Sequence, residues 1–191
     1  MDTVFGILIG VGLAASCGFR VFVPMLVMSI AVKSGHLEVA PGWEWIGSWS
    51  AMTAFGVAMI VEIAGFYVPW LDNLLDTIST PAAVIAGTVA TAACVTHMSP
   101  LMQWSTAIIA GGGIAGTIQG TTVLARGTST VTTAGGANFM VATIELFASI
   151  LLSIMAVIVP VLALLVLCGI GFWAIKMLIR RPAKKPSPLS A

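Results

Sequence analysis

Three ionisable residues, Arg20, Glu62 and Glu145, stand inside long apolar runs of this chain. A charged side chain at membrane depth costs a few kcal/mol or more unless it is paired or hydrated, so it turns toward a bundle interior or a water-filled path. The arginine cannot lose its proton at ordinary pH. It therefore needs an anion, carbonyl oxygens or water, and the two glutamates are the nearest acids in kind. Two readings follow. The three residues form a polar centre that gates or binds a small ion or polar solute, with a proton carried on one glutamate. Alternatively, they form an ion pair that fixes helix packing while Arg20 snorkels to one surface.

Asp72 and Asp76 stand one helical turn apart and could share a hydrated cation, since hard cations take carboxylate and water oxygens. The plainer reading is the solvated face of an interfacial helix. Arg126, Thr128 and Ser129 open a glycine- and threonine-rich segment, Arg126 to Gly136, read as a loop whose N–H groups could cradle an anion. The Gly111-Gly112-Gly113 run lacks the Lys-Ser/Thr that a phosphate loop requires. His36 and His97 stand alone near span ends, Cys17, Cys94 and Cys168 lie in apolar stretches without a C-x-x-C spacing, and no nucleophile–base pair stands out. Neither a metal, a cofactor, a disulfide nor an enzymatic activity is expected.

The elements that must hold these residues are membrane helices. Apolar residues make up 59% of the 191, charged residues only 8%, and the mean hydropathy is +1.08. A soluble domain carries roughly a quarter charged residues. The net charge of +1 gives no reason to expect a nucleic-acid partner. The apolar N-terminal run follows Met1-Asp2-Thr3 without the positive flank of a signal peptide, so it is expected to remain as a first membrane helix.

The apolar runs and their breaks predict an all-α, polytopic membrane helix bundle of six transmembrane helices, with residues 1–179 as one domain. The first span covers Val4 to about Val32 and the second Ala51 to Val68. Pro69 to Ser79 is amphipathic and expected to lie at the interface as a short helix. Thr80-Pro81 reads as a capping hydroxyl and first-turn proline that start the third span. The fourth span runs from Trp104 to Leu124. The 43 residues from Ala137 to Ile179 are too long for one crossing and divide near Val159-Pro160, or else form one long kinked helix, which leaves five spans. Residues 180–191 carry four of the eight basic residues, a clustering that places the C-terminus in the cytoplasm and the protein in the inner membrane.

Small residues repeat. Gly6, Gly10, Ala14 and Gly18 are spaced by four, as are Gly112, Gly116 and Gly120, and such faces let helix backbones approach closely. The first and fourth spans are expected to cross at Gly10, Ala14, Gly112 and Gly116. The pattern suggests a three-plus-three inverted repeat, residues 4–97 and 104–179, with a site at the repeat interface.

Gly18-Phe19-Arg20-Val21-Phe22-Val23-Pro24, Pro69-Trp70-Leu71-Asp72 with Asp76 and Thr80-Pro81, and Gly112-Gly113-Ile114-Ala115-Gly116 resemble the integral membrane family known as domain of unknown function 4126, found in bacteria and plants. The resemblance implies that Arg20, Asp72, Asp76 and Glu145 occupy the family's polar positions. It also implies an Arg-Pro after the aspartates and a Glu-Asp pair in the fifth span, whereas here Thr80 precedes Pro81 and Leu146 follows Glu145. It supplies no activity. The residues themselves favour a small transporter or channel for an ion or polar solute, embedded in the bilayer and either homo-oligomeric or held in a membrane complex. The rival readings are a non-catalytic subunit or assembly factor of such a complex, and a lipid-handling protein.

Overall fold

The computed structural model describes residues 2–133 and 136–179, and among them the regular structure is helical, without a strand. The helices are α1 (Thr3–Cys17), α2 (Phe22–Lys33), α3 (Trp49–Phe66), α4 (Pro69–Cys94), α5 (Pro100–Thr106), α6 (Gly113–Thr133), α7 (Asn138–Ile158) and α8 (Pro160–Ile179). A π-helical segment, Ala107–Gly112, joins α5 to α6. The basic tail, residues 180–191, lies outside the described residues. Among the described residues four stretches are long and apolar enough to cross a membrane: Trp49–Phe66, Leu74–Cys94, Pro100–Thr133 and Asn138–Ile158. Thr3–Cys17, Phe22–Lys33 and the stretch Pro160–Gly169 of α8 are apolar but shorter, and the all-α bundle stands.

The first apolar run is not one helix. It breaks over residues 18–21 into α1 of 15 residues and α2 of 12, each below the roughly 20 residues a crossing needs. Pro24 lies in the first turn of α2, where its missing N–H and its ring oppose a helix continued back through Arg20. The break coincides with Gly18 and Arg20. A Cβ on Gly18 would fall 2.6 Å from Ile118 Cβ and 2.7 Å from Ala115 O, so a side chain there would collide with α6.

Conversely, the expected interfacial helix and third span are one helix, α4, with Pro81 inside it. The missing N–H of Pro81 costs one ladder bond, which membrane helices tolerate where neighbours and Ser/Thr hydroxyls re-satisfy the backbone. Beside it, Thr80 Oγ1 donates back to Asp76 O at 2.9 Å, the carbonyl one residue before the one that Pro81 no longer meets. The start signal read in Thr80-Pro81 yields because α4 packs along α1, α6 and the π segment. The division before Pro160 holds as expected: α7 ends at Ile158 and Val159 leaves helical geometry with φ −138° and ψ 71°, as a residue before proline prefers.

The expected loop at Arg126 to Gly136 is also helical, through Thr133. Threonine hydroxyls spend their hydrogen bonds on carbonyls one turn back: Thr117 to Gly113, Thr121 to Thr117, Thr128 to Leu124 and Thr130 to Arg126, at 2.7–3.0 Å. That bonding suits a helix in an apolar medium, where the side chain has few other partners.

Small residues make the core thin. Gly87 of α4 lies against α6 so closely that a Cβ on it would fall 2.6 Å from Ala115 Cβ and 2.9 Å from Gly111 O. The expected seam therefore exists, but α4 is its partner. Gly10 faces Thr91, and Gly116 faces Val84, both on α4, while Gly112 meets Thr88 and Val84 of the same helix. Ala14 is fully buried and points toward Gly87. A Cβ on Gly120 would meet nothing within 4 Å among the described residues, so it takes no part in this seam.

Loose helix ends are tied down by side chains. Gln103 Nε2 donates to Ala92 O at 2.8 Å and Val95 O at 3.2 Å, closing the C-terminus of α4. Ser29 Oγ donates to Ile46 O at 2.6 Å, and Ala40 N–H to Ala93 O at 2.8 Å. These bonds hold the tryptophan-bearing connection against the bundle end, where Trp43 and Trp104 meet with ring centroids 6.1 Å apart.

Candidate functional site: a buried charge centre at the helix break

The break between α1 and α2 exposes backbone groups that α-helix geometry leaves unpaired. Two of them are taken by an acid from another helix. Glu62 of α3 accepts from Val21 N–H at 2.8 Å through Oε1 and from Phe22 N–H at 3.1 Å through Oε2. It thus caps α2 from outside, where α2's own N-cap residue, Val21, has no side-chain oxygen. A carboxylate suits that end of the helix dipole. On the other side of the break, Ser149 Oγ of α7 donates to Ser16 O at 3.1 Å, and Arg20 N–H returns to the same carbonyl at 3.1 Å.

Arg20 is therefore fixed at the break rather than along a helix face. Only 1% of it is exposed, so it does not snorkel to a surface. Its Nη2 donates to Ala142 O of α7 at 2.9 Å and lies 3.8 Å from Glu145 Oε2. Among the described residues its Nε and Nη1 have no hydrogen-bond partner.

Arg126 of α6 supplies the second cation, and it is equally buried. Its Nη1 donates to Asp76 Oδ1 at 2.6 Å, its Nε to Glu145 Oε1 at 3.2 Å, and its Nη2 to Glu145 Oε2. This is a two-point guanidinium–carboxylate fork with a second acid at its end. Both guanidinium groups also lie over the ring of Phe66, at 3.9 Å for Arg20 and 4.1 Å for Arg126. Phe66 is buried at the end of α3. Its quadrupole offsets part of the repulsion between the two cations.

The expected polar centre thus contains Arg20, Glu62 and Glu145 in one place, with Arg126 and Asp76 added. The two additions correct the expectations made for them. Arg126 is not in an anion-cradling loop, because its backbone is helical and its guanidinium is engaged by acids. Thr128 and Ser129 sit on the same helix, where Thr128 bonds Leu124 O and offers no loop N–H. Asp76 does not lie on a solvated face with Asp72. It is turned inward onto Arg126, which displaces a shared cation as its partner. The side chain of Asp72 lies outside the described residues.

Spacing along α6 and α7 could have revealed Arg126. Ala115, Gln119, Thr122 and Arg126 are spaced by three or four residues, a helical register, and are buried together on α6. Phe66 gave no signal in the sequence. Its role follows only from how α3 ends beside the break.

Chemically the centre holds two guanidinium groups and three carboxylates. Glu62 forms no ion pair among the described residues and is held by backbone N–H groups. Buried serines Ser16, Ser149 and Ser153 extend the polar lining along α1 and α7. Among the described residues no group of three or more His, Cys, Asp or Glu side chains could hold a metal ion.

No curated protein and no solved structure matches the chain. The family model described as Domain of unknown function (DUF4126) matches residues 7–180, a span that includes the helix break, both buried arginines and the acids around them. The chain belongs to that integral membrane family.

Proposed function

We propose that the protein is a small membrane transporter or channel for a small ion or polar solute, with the Arg20–Glu62–Glu145 centre on the solute's path. The supporting observation is Arg20: a fully buried guanidinium held at a broken helix, with two nitrogens that lack a hydrogen-bond partner among the described residues. A scaffold ion pair is stable only when its remaining donors are satisfied. Broken helices at membrane depth are tolerated where they line a cavity or site. In this reading the six-span division, the inverted repeat and the cytoplasmic C-terminus in the inner membrane supply the geometry of alternating access. The protein is a carrier, not an enzyme, and works without a cofactor.

One observation favours partner helices as well. Gly113, Gly120 and Gly127 form a face of α6 with nothing within 4 Å of a built Cβ, the kind of surface on which a second helix packs closely. A homo-oligomer or a membrane complex accounts for it. Reconstitution into vesicles separates the readings. Solute flux that disappears in Arg20→Lys while the variant still folds supports transport. A protein that purifies only with stoichiometric foreign subunits and carries no flux supports the assembly role.

A further inference from the structure

We infer that Arg20 is the binding residue for a small carboxylate anion, which enters with one proton, and that the proton rests on Glu62. The inference rests on the transport reading and gives its solute a chemical class. A guanidinium offers only donors, so whatever completes the Nε and Nη1 of Arg20 must bring acceptor oxygens. A cation or an ammonium group cannot do so.

Charge then constrains the rest. Arg20 and Arg126 face Glu62, Asp76 and Glu145, so the centre already carries one excess negative charge when every group is ionised. A bare anion would add a second in a low-dielectric interior, where each uncompensated charge is costly. An anion arriving with a proton leaves the total unchanged. Asp76 and Glu145 are both ion-paired with Arg126. Among the described residues Glu62 is hydrogen-bonded by the N–H groups of Val21 and Phe22 and forms no ion pair, which makes it the acid whose neutralisation breaks none. Cys17, at the end of α1, shares its surroundings. The proton comes from the medium and no covalent bond changes apart from the new O–H on Glu62. Protonation also weakens the acceptor for two backbone donors at the start of α2, which links solute binding to the helix break.

The test is calorimetric titration of the full chain in mild detergent with sodium formate, the smallest carboxylate, against sodium chloride at equal ionic strength. Running it in two buffers of different ionisation heat gives the protons taken up. Wild type is expected to bind formate with uptake of one proton each. Arg20→Lys keeps the charge but loses the planar donor set, and should weaken binding about tenfold or more. Glu62→Gln imitates the protonated acid, and should bind formate with no proton uptake. A folded wild type that binds no formate overturns the inference, as does unchanged affinity in Arg20→Lys. Proton uptake that persists in Glu62→Gln overturns the assignment to Glu62. Formate binding without any flux in vesicles would sink the transport reading and leave this one standing. Flux of sodium or ammonium without formate binding would do the reverse.

Discussion

Changing Arg126 to methionine should be among the most destabilising single substitutions in this chain. The side chain is 2% exposed, so its loss leaves Glu145 and Asp76 without the donors that hold them at 2.6–3.2 Å. At those separations an attraction of about 5 kcal/mol per pair applies for an effective dielectric near 20. Desolvation offsets much of it, and breaking a buried pair typically costs about 3–5 kcal/mol net. The lost stack on Phe66, 4.1 Å away, adds about 1–2 kcal/mol for a desolvated cation. Reversible unfolding in detergent, read by helical circular dichroism, measures the total. The decisive quantity is the coupling in a cycle with Glu145→Met. The double variant should be less damaged than the separate losses imply, by about 1–3 kcal/mol, and adding Asp76→Asn should recover more because the other acid that loses Arg126 is then neutral. A loss under about 1 kcal/mol for Arg126→Met, or strict additivity in the cycle, would refute the claim that these groups are mutually dependent.

Other expectations follow from particular contacts. Gly87→Leu should block assembly of α4 on α6, whereas Gly120→Ala, in open space, should change stability by under about 0.5 kcal/mol; thermal melts of both check the seam. Gln103→Ala removes two carbonyl partners from the end of α4 and should cost about 1–2 kcal/mol, visible as faster amide exchange at residues 95–97. Glu62→Ala removes the cap from α2 and should cost about 1–2 kcal/mol, with amide exchange rising first at Val21 and Phe22. Reporter fusions at each end should place both termini in the cytoplasm, and an external N-terminus would remove the six-span division.

What the sequence made legible was set by solvation. Long apolar runs, few charges and a proline at residue 160 state a membrane bundle and one of its breaks directly, because each depends on local composition or on one residue's covalent geometry. The charges inside the runs were legible as a group for the same reason: at membrane depth they have to meet. Three boundaries were not legible. The turn signals at Thr80-Pro81 and in the threonine-rich stretch after Arg126 are rules for chains in water, where hydroxyls and backbone find solvent. In an apolar surround the hydroxyls of Thr80, Thr128 and Thr130 turn back onto the helix, and segments that would be loops in water stay wound.

The break at Arg20 is the opposite case, and explains why the site escaped a reading by span. Near residue 20 the local signals are Gly18 and Pro24, and both glycine and proline are common in membrane helices. The break persists because partners far along the chain hold what it frees. Glu62 takes two N–H groups, Ser149 takes the Ser16 carbonyl, and Ala142 O receives the arginine. These partners lie 40 to 133 residues away in sequence. The expectation that paired Arg20 with one of the glutamates assigned a single role to acids that perform two. Glu62 secures the backbone of the break, while Glu145 is shared between the two arginines. Separation of these roles makes a chemical division of labour available: the backbone-held acid can change its protonation without dismantling the ion pairs that hold α6 and α7 together.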